Sequence, residues 1–249
     1  MNTTMNLIKY GGSRLSPTED SYDNEFVNYL ISLVKKYHDQ KFMIIIGGGA
    51  LCRKRVREEM IINPNITKDE RDWIGIRTTW ENASYVIKKF QEAGINDVCS
   101  EVVKDPTLKV DIENEQNNYR IYIAGGWKPG NSTDFVTMTL AKTYGAENVI
   151  KVSDFKVVKD ISPLAIKDLT KEEMKIELAK SKDLPKATWQ KMQDLVGTEW
   201  VPSLNTPLDP LAAKLGVENP NISLYICQET ELEKVLSGSD DFIGTLVNG

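Results

Sequence analysis

Five consecutive apolar residues, Phe42-Met43-Ile44-Ile45-Ile46, run directly into Gly47-Gly48-Gly49 and then into a helix-compatible stretch carrying Arg53. A short, wholly apolar run bounded by glycine reads as a strand buried on both faces. The pattern returns at Arg120-Ile121-Tyr122-Ile123-Ala124, followed by Gly125-Gly126-Trp127-Lys128-Pro129-Gly130-Asn131-Ser132-Thr133-Asp134. A third glycine turn, Lys9-Tyr10-Gly11-Gly12-Ser13, follows a first short strand. Glycine lets a backbone approach a ligand closely and adopt positive φ without a Cβ clash. The helix after such a turn offers free N–H groups and the positive end of its dipole, where an anion is stabilised. Three such turns in one chain predict a site that cradles several phosphates.

Strand-like runs alternate with helical patterns, which predicts an α/β protein with a mainly parallel sheet. Asn6 to Tyr10 reads as the first strand. From Phe26, residues Tyr29, Leu30, Leu33, Val34 and Tyr37 recur at helical spacing. After the Phe42–Ile46 strand come a helix from about Ala50 to Ile61 and a second one opened by Thr67-Lys68-Asp69-Glu70, a capping-box spacing, and continuing to Phe90. Asp97–Val103 and Leu108–Ile112 are expected to form a hairpin, and the acidic, Asn-rich Asp111–Asn118 a surface loop. Arg120–Ala124, Asn148–Val152 and Ile222–Cys227 read as buried strands, with a helix over Asp134–Tyr144 between the first two. The lysine-rich part from Ser162 to Pro207 reads as helical, punctuated by prolines.

The formal charge of −5 over 249 residues argues against a nucleic-acid coat or a membrane-surface binder, which are usually basic. Basic residues are still dense from Lys35 to Arg57, which leaves room for a cationic pocket. Cys52, Cys99 and Cys227 are far apart, odd in number and without metal-type spacing. They read as free thiols of a reducing cytosol, and no protein-bound metal site is expected. The single histidine, His38, reads as an exposed helix-end residue, which removes histidine triads from consideration. No apolar run approaches the roughly 20 residues needed to span a bilayer, and Met-Asn-Thr-Thr-Met lacks the features of a signal peptide. A cytoplasmic protein is expected.

The order of the turns resembles the amino acid kinase superfamily and, within it, the archaeal-type uridylate (UMP) kinases. The resemblance is carried by Lys9–Ser13, Ile46–Arg53, Asp72-Trp73-Ile74-Gly75-Ile76 and Gly125–Asp134, then by Leu208-Asp209-Pro210-Leu211-Ala212-Ala213-Lys214 and Ile243-Gly244-Thr245. It implies a three-layer αβα sandwich around a central, mainly parallel sheet, with one domain covering residues 1–249. The N-terminal half, to about residue 145, would bind the phosphate acceptor, and the C-terminal half would bind ATP. The implied reaction is ATP- and Mg²⁺-dependent phosphorylation of UMP to UDP in pyrimidine nucleotide biosynthesis. A homo-oligomer, a hexamer in most UMP kinases, is implied as well.

Carried over residue by residue, the resemblance puts Gly12 and Ser13 over the transferred phosphoryl group, Gly48 near the acceptor, and Gly49 and Arg53 at the donor phosphates. Asp72 would accept hydrogen bonds from the ribose hydroxyls, and Gly75 would leave room for the nucleotide. Trp127, Lys128, Pro129, Gly130, Asn131, Ser132 and Thr133 would line the acceptor pocket. Lys9 and Lys214 would neutralise phosphates, as phosphoryl transfer requires, and Asp154 would orient them or the donor. Read singly, most of these residues are also ordinary turn, cap or surface positions; Ser132 and Thr133 are good helix N-caps in any case.

One segment departs from the family pattern. Where UMP kinases carry a Thr-Asn-Val-Asp-Gly-Val-Tyr-x-x-Asp-Pro-like run for the adenine nucleotide, this chain reads Ser153-Asp154-Phe155-Lys156-Val157-Val158-Lys159-Asp160-Ile161-Ser162-Pro163. Val157 replaces a glycine, Lys159 a tyrosine and Ser162 an aspartate. Ser153, Asp154, Lys159 and Ser162 are the ATP-site positions by resemblance. Lys156 and Lys159 read as solvated surface residues or, alternatively, one of them reaches the donor phosphates; in that second case weak ATP binding with loose base selectivity is expected, GTP serving nearly as well. The alternative is a non-catalytic member of the fold, a nucleotide sensor or an oxyanion-storage protein.

Overall fold

The structure, a computed structural model, describes residues 5–110, 119–199 and 206–249. The chain divides into two compact units, Met1–Ala146 and Glu147–Gly249.

The first unit holds three parallel strands, β1 (Met5–Tyr10), β2 (Lys41–Ile46) and β3 (Ile121–Ala124), in the order β3-β2-β1. Phe42 to Ile46 in the middle strand are each fully buried, which explains why that strand has no polar alternation. Around them lie α1 (Gly12–Leu15), α2 (Asn24–Lys36), α3 (Gly49–Ile62), α4 (Lys68–Glu92) and α5 (Thr133–Tyr144). Asp23 caps α2 by accepting from Phe26 N, and Thr67 and Glu70 form the capping box that starts α4. α4 packs against β2 and β3, and α5 against β1 and β2.

The second unit contains β4 (Asn148–Val152), α6 (Lys171–Lys180), β5 (Lys186–Thr188), α7 (Trp189–Val196), α8 (Pro210–Glu218), β6 (Ser223–Cys227), α9 (Leu232–Leu236) and β7 (Gly244–Asn248). Its strands run in the order β4-β6-β7-β5, with β6–β7 the antiparallel pair. Trp189, 2% exposed, donates its indole N–H to Ile222 O at 2.8 Å and presses on Gly216 of α8. Among the described residues no helix is long and apolar enough to cross a membrane.

The α/β class and the mainly parallel strands agree with the sequence reading, and His38 is exposed. Two expectations are corrected. Asp97–Val103 does not enter a hairpin: Val98 and Val103 form isolated parallel bridges to Ile121 and Ala124 of β3. The physical reason is that β3 has an open edge, and short apolar stretches satisfy its backbone there; Cys99 N and Val103 N donate to Ile121 O and Ile123 O. Ile112 and the 111–118 loop lie outside the described residues. The stretch between Ser162 and Pro207 is not all helical, because Lys186-Ala187-Thr188 pairs with Leu246-Val247-Asn248 of β7 as a strand.

Candidate active site

β1 and β2 end side by side, Tyr10 opposite Ile46, so the glycine turns that follow them meet at backbone distance. A Cβ on Gly12 would strike Gly49 N and stand 2.5 Å from both Gly47 C and Gly48 N. One on Gly47 would lie 2.7 Å from Gly12 N. Gly49 has φ +69°, and a Cβ there would strike Gly12 O. Buried Ser16, just after α1, ties the two turns together: Ala50 N donates to its carbonyl at 2.9 Å and Leu51 N to its Oγ at 3.2 Å. Two first-turn amides of α3 are therefore already used, contrary to the expectation of an open helix end. The amides of Gly12, Ser13, Gly48 and Gly49 donate to no atom among the described residues.

From α4, fully buried Asn82 donates through Nδ2 to Gly47 O at 2.8 Å and Gly48 O at 3.2 Å. Arg53 is exposed on α3. Its neighbours Lys54, Arg55 and Arg57 pair with Asp20, Glu81 and Glu19, whereas Arg53 has no acidic partner among the described residues. Lys9 lies on β1 with its ammonium 3.0 Å from Asp134, and both side chains are nearly buried.

The third turn hangs from the same helix α4. Thr79 Oγ1 accepts from Gly126 N at 2.6 Å and donates to Ile76 O at 2.6 Å, while Trp80 Nε1 donates to Gly126 O at 2.7 Å. A Cβ on Gly125 would stand 2.7 Å from the Trp80 ring. Asp72 accepts from Gly130 N at 2.9 Å, and Gly130 has φ +78°. Asn131 Nδ2 donates to the carbonyls of Lys128 and Pro129, and Ser132 caps α5, of which Thr133 is the first residue. Lys128 lies 3.8 Å from the centre of the Trp127 ring, and Lys104 lies 4.9 Å from that of Trp80. Asp105 sits below the usual carboxylate range because Thr107 donates to it through hydroxyl and amide, with smaller help from Trp127 and Lys128. Gly75 faces α3, where a Cβ would lie 3.4 Å from Cys52 Sγ. Burial pushes the Cys52 thiol up despite the nearby Arg53 and Arg55.

In the second unit, a cleft of about 680 Å³ is walled by Val157, Ile161, Pro163, Ile166, Met174 and Leu178, with Lys156, Lys159, Lys167 and Asp183 among its lining. Lys159 Nζ stands 2.7 Å from Asp183 Oδ1. Ser162, between two lining residues, precedes a 3₁₀ turn at Pro163–Ala165. Ser153 and Asp154 lie outside the cleft lining. Ser153 N donates to Cys227 O at 2.9 Å and its Oγ to Phe155 O at 3.0 Å; Asp154 is exposed, and its carbonyl accepts from Gln228 at 3.0 Å. Lys214 is exposed on α8, whose N-terminus is fixed by Asp209 and Pro210.

The sequence profile of the amino acid kinase family matches residues 4–226. The chain belongs to the amino acid kinase family. Among its relatives, the uridylate kinase of Pyrococcus abyssi is 28% identical over 225 residues, covering 88% of each chain. That of Staphylothermus marinus is 31% identical over 186 residues, covering 74% of this chain and 76% of the relative. In structure the chain resembles the uridylate kinase of Archaeoglobus fulgidus, with TM-score 0.75 and 20% identity over 98% of this chain and 100% of the other. That likeness is one of fold, and it agrees with the αβα sandwich expected from the sequence.

For an amino acid kinase, the first unit brings Gly12, Ser13, Gly48 and Gly49 into one cluster and Asp72 together with Gly130. Ser16 and Asn82, which hold the first two turns, and Thr79 and Trp80, which hold Gly126, escaped the sequence reading as site residues; Asp134 was quoted there only as the end of a motif, and its pairing with Lys9 was not foreseen. Asn82 and Thr79 are polar residues on the buried face of a long helix, which is the one signal that pointed to them. Asp183 carried no signal, because its contact with Lys159 spans a loop and a helix.

Proposed function

We propose that the chain transfers the terminal phosphoryl group of Mg·ATP to UMP, giving UDP and ADP. The observation that carries this reading is the locked pair of glycine turns, whose four uncommitted amides are main-chain donors suited to phosphate oxygens. Phosphoryl transfer needs positioning and charge neutralisation more than a strong base. Gly12 and Ser13 are assigned to the transferred group, Gly48 and Gly49 to acceptor and donor phosphates, and Arg53, Lys9 and Lys214 to charge neutralisation. Asp72 and the 127–133 loop are assigned to the nucleoside of the acceptor: the Gly130 bond holds the Asp72 carboxylate in place while leaving it lone pairs for ribose hydroxyls.

The second unit takes the donor in this reading, with Asp154, Ser153, Lys159 and Ser162 on that side. Mg²⁺ arrives on the triphosphate, bound chiefly by phosphate oxygens and water, and the exposed carboxylate of Asp154 is suited to meet its hydration shell. The protein would work in the cytoplasm as a homo-oligomer, a hexamer by resemblance; Ile61 and Ile62, 79% and 78% exposed at the end of α3, supply apolar surface for such an assembly. A coupled assay of nucleoside diphosphate release over a panel of nucleoside monophosphates tests the reading. Turnover with UMP is expected; turnover with another acceptor, such as isopentenyl phosphate or an acylated amino acid, but none with UMP, overturns it.

A further inference from the structure

We infer that Lys159 and Asp183 read the base of the phosphoryl donor, and that they favour guanine over adenine. The inference rests on the assignment of the donor to the second unit. Lys159 and Asp183 face each other across an antiparallel bridge. Asp160 N donates to Lys182 O at 2.9 Å and Leu184 N to Val158 O at 2.8 Å. That pattern makes Lys159 and Asp183 a non-hydrogen-bonded pair, the kind that brings opposing side chains closest. Thr245 braces the bridge from behind, accepting from Val158 N at 3.0 Å and donating to Leu184 O at 2.7 Å. Ammonium and carboxylate are thus held 2.7 Å apart on the wall of an otherwise largely apolar cleft. Their side chains remain 32% and 59% exposed, so both keep unused hydrogen-bonding capacity. An ion pair this open contributes little to folding; what sets it apart is its place in the wall of a cleft large enough for a purine.

A fixed donor beside a fixed acceptor is a template for a base edge. Guanine presents N1–H and the N2 amine side by side, with O6 next to them. The Asp183 carboxylate can accept from both nitrogens while the Lys159 ammonium donates to O6, making three charge-assisted bonds without breaking the ion pair. Adenine offers the pair only its N6 amine and N1, and loses the two-pronged contact to the carboxylate. The cleft's other cations, Lys156 and Lys167, suit the polyphosphate that either nucleotide carries.

Calorimetry of the full chain with GTP and with ATP, read beside kcat/KM for each with UMP, tests the inference. GTP is expected to bind about tenfold more tightly than ATP. Asp183→Asn should abolish that preference and create one for xanthosine triphosphate, because a carboxamide can accept from xanthine N1–H and donate to its C2 carbonyl, while ATP affinity changes little. ATP binding as tight as GTP in the unaltered chain overturns the inference, as does a GTP preference that survives Asp183→Asn, or binding of neither nucleotide. A GTP preference without phosphorylation of UMP keeps the base reading and removes the acceptor assignment instead.

Discussion

The glycine turns of the first unit and the cleft of the second are built from different materials. Around Gly12, Gly47 and Gly49 the surface is main chain meeting main chain, with a hypothetical Cβ at each no more than 2.7 Å from a backbone atom that has nowhere to go. Around Lys159 the surface is side chains, with valine, isoleucine, methionine and leucine shaping the space and one ion pair marking its polar edge. A main-chain surface tolerates no substitution; a side-chain surface can change its chemistry while keeping its shape. This explains how one chain holds the family's glycine turns intact and yet carries valine, lysine and serine where the resemblance calls for glycine, tyrosine and aspartate.

The difference can be broken by mutation. The largest effect is expected from Gly12→Ala, which must displace backbone and should cost about 3 kcal/mol in denaturant unfolding; a cost below about 0.5 kcal/mol would mean that the turns are not locked. Lys214→Ala, on an exposed helix face, should leave unfolding unchanged but lower kcat by about 10²-fold in steady-state assays, the scale of losing one charge-stabilising donor. Asn82→Ala removes the donor to two turn carbonyls and should cost about 2 kcal/mol in unfolding, with a drop in kcat/KM beyond that of a distant, equally destabilising variant. Asp72→Asn should raise the UMP KM about tenfold and change kcat much less, since ribose contacts act equally on ground and transition states; a mainly kcat effect would assign Asp72 to the chemistry instead. The smallest change belongs to Val157→Ala in the cleft wall, expected within about 1 kcal/mol in unfolding. A loss as large as that of Gly12→Ala would erase the distinction between the two regions.

The same contrast explains what could be read from the sequence. Glycine at Gly12, Gly47 and Gly49 states a backbone requirement outright, so the turns and the strands before them were legible, as was the capping box at Thr67. The edge bridges of Val98 and Val103 were not, because their alternation fits a hairpin equally well and only the presence of an open β3 edge decides between them. β5 was hidden for a similar reason: Lys186-Ala187-Thr188 has no strand signal of its own and takes its conformation from β7. In the second unit Lys159 was legible as a substitution, but its pairing with Asp183, twenty-four residues on, follows from no spacing rule.

α4 is single and continuous from Lys68 to Glu92, and its attachments come in sequence along it: Asp72 to Gly130, Thr79 and Trp80 to Gly126, Asn82 to Gly47 and Gly48. Ten residues of helix separate the first attachment from the last, a span of about 15 Å. The helix is therefore a ruler: it fixes how far the Asp72–Gly130 contact stands from the Gly47–Gly48 turn, and under the proposed assignment an acceptor would be measured against that length before any single contact is made. Inserting one residue into α4 between Asp72 and Thr79 would move the marks by about 1.5 Å and turn them by about 100°, so the spacing of the two loops is written into an uninterrupted helical register rather than into the loops themselves.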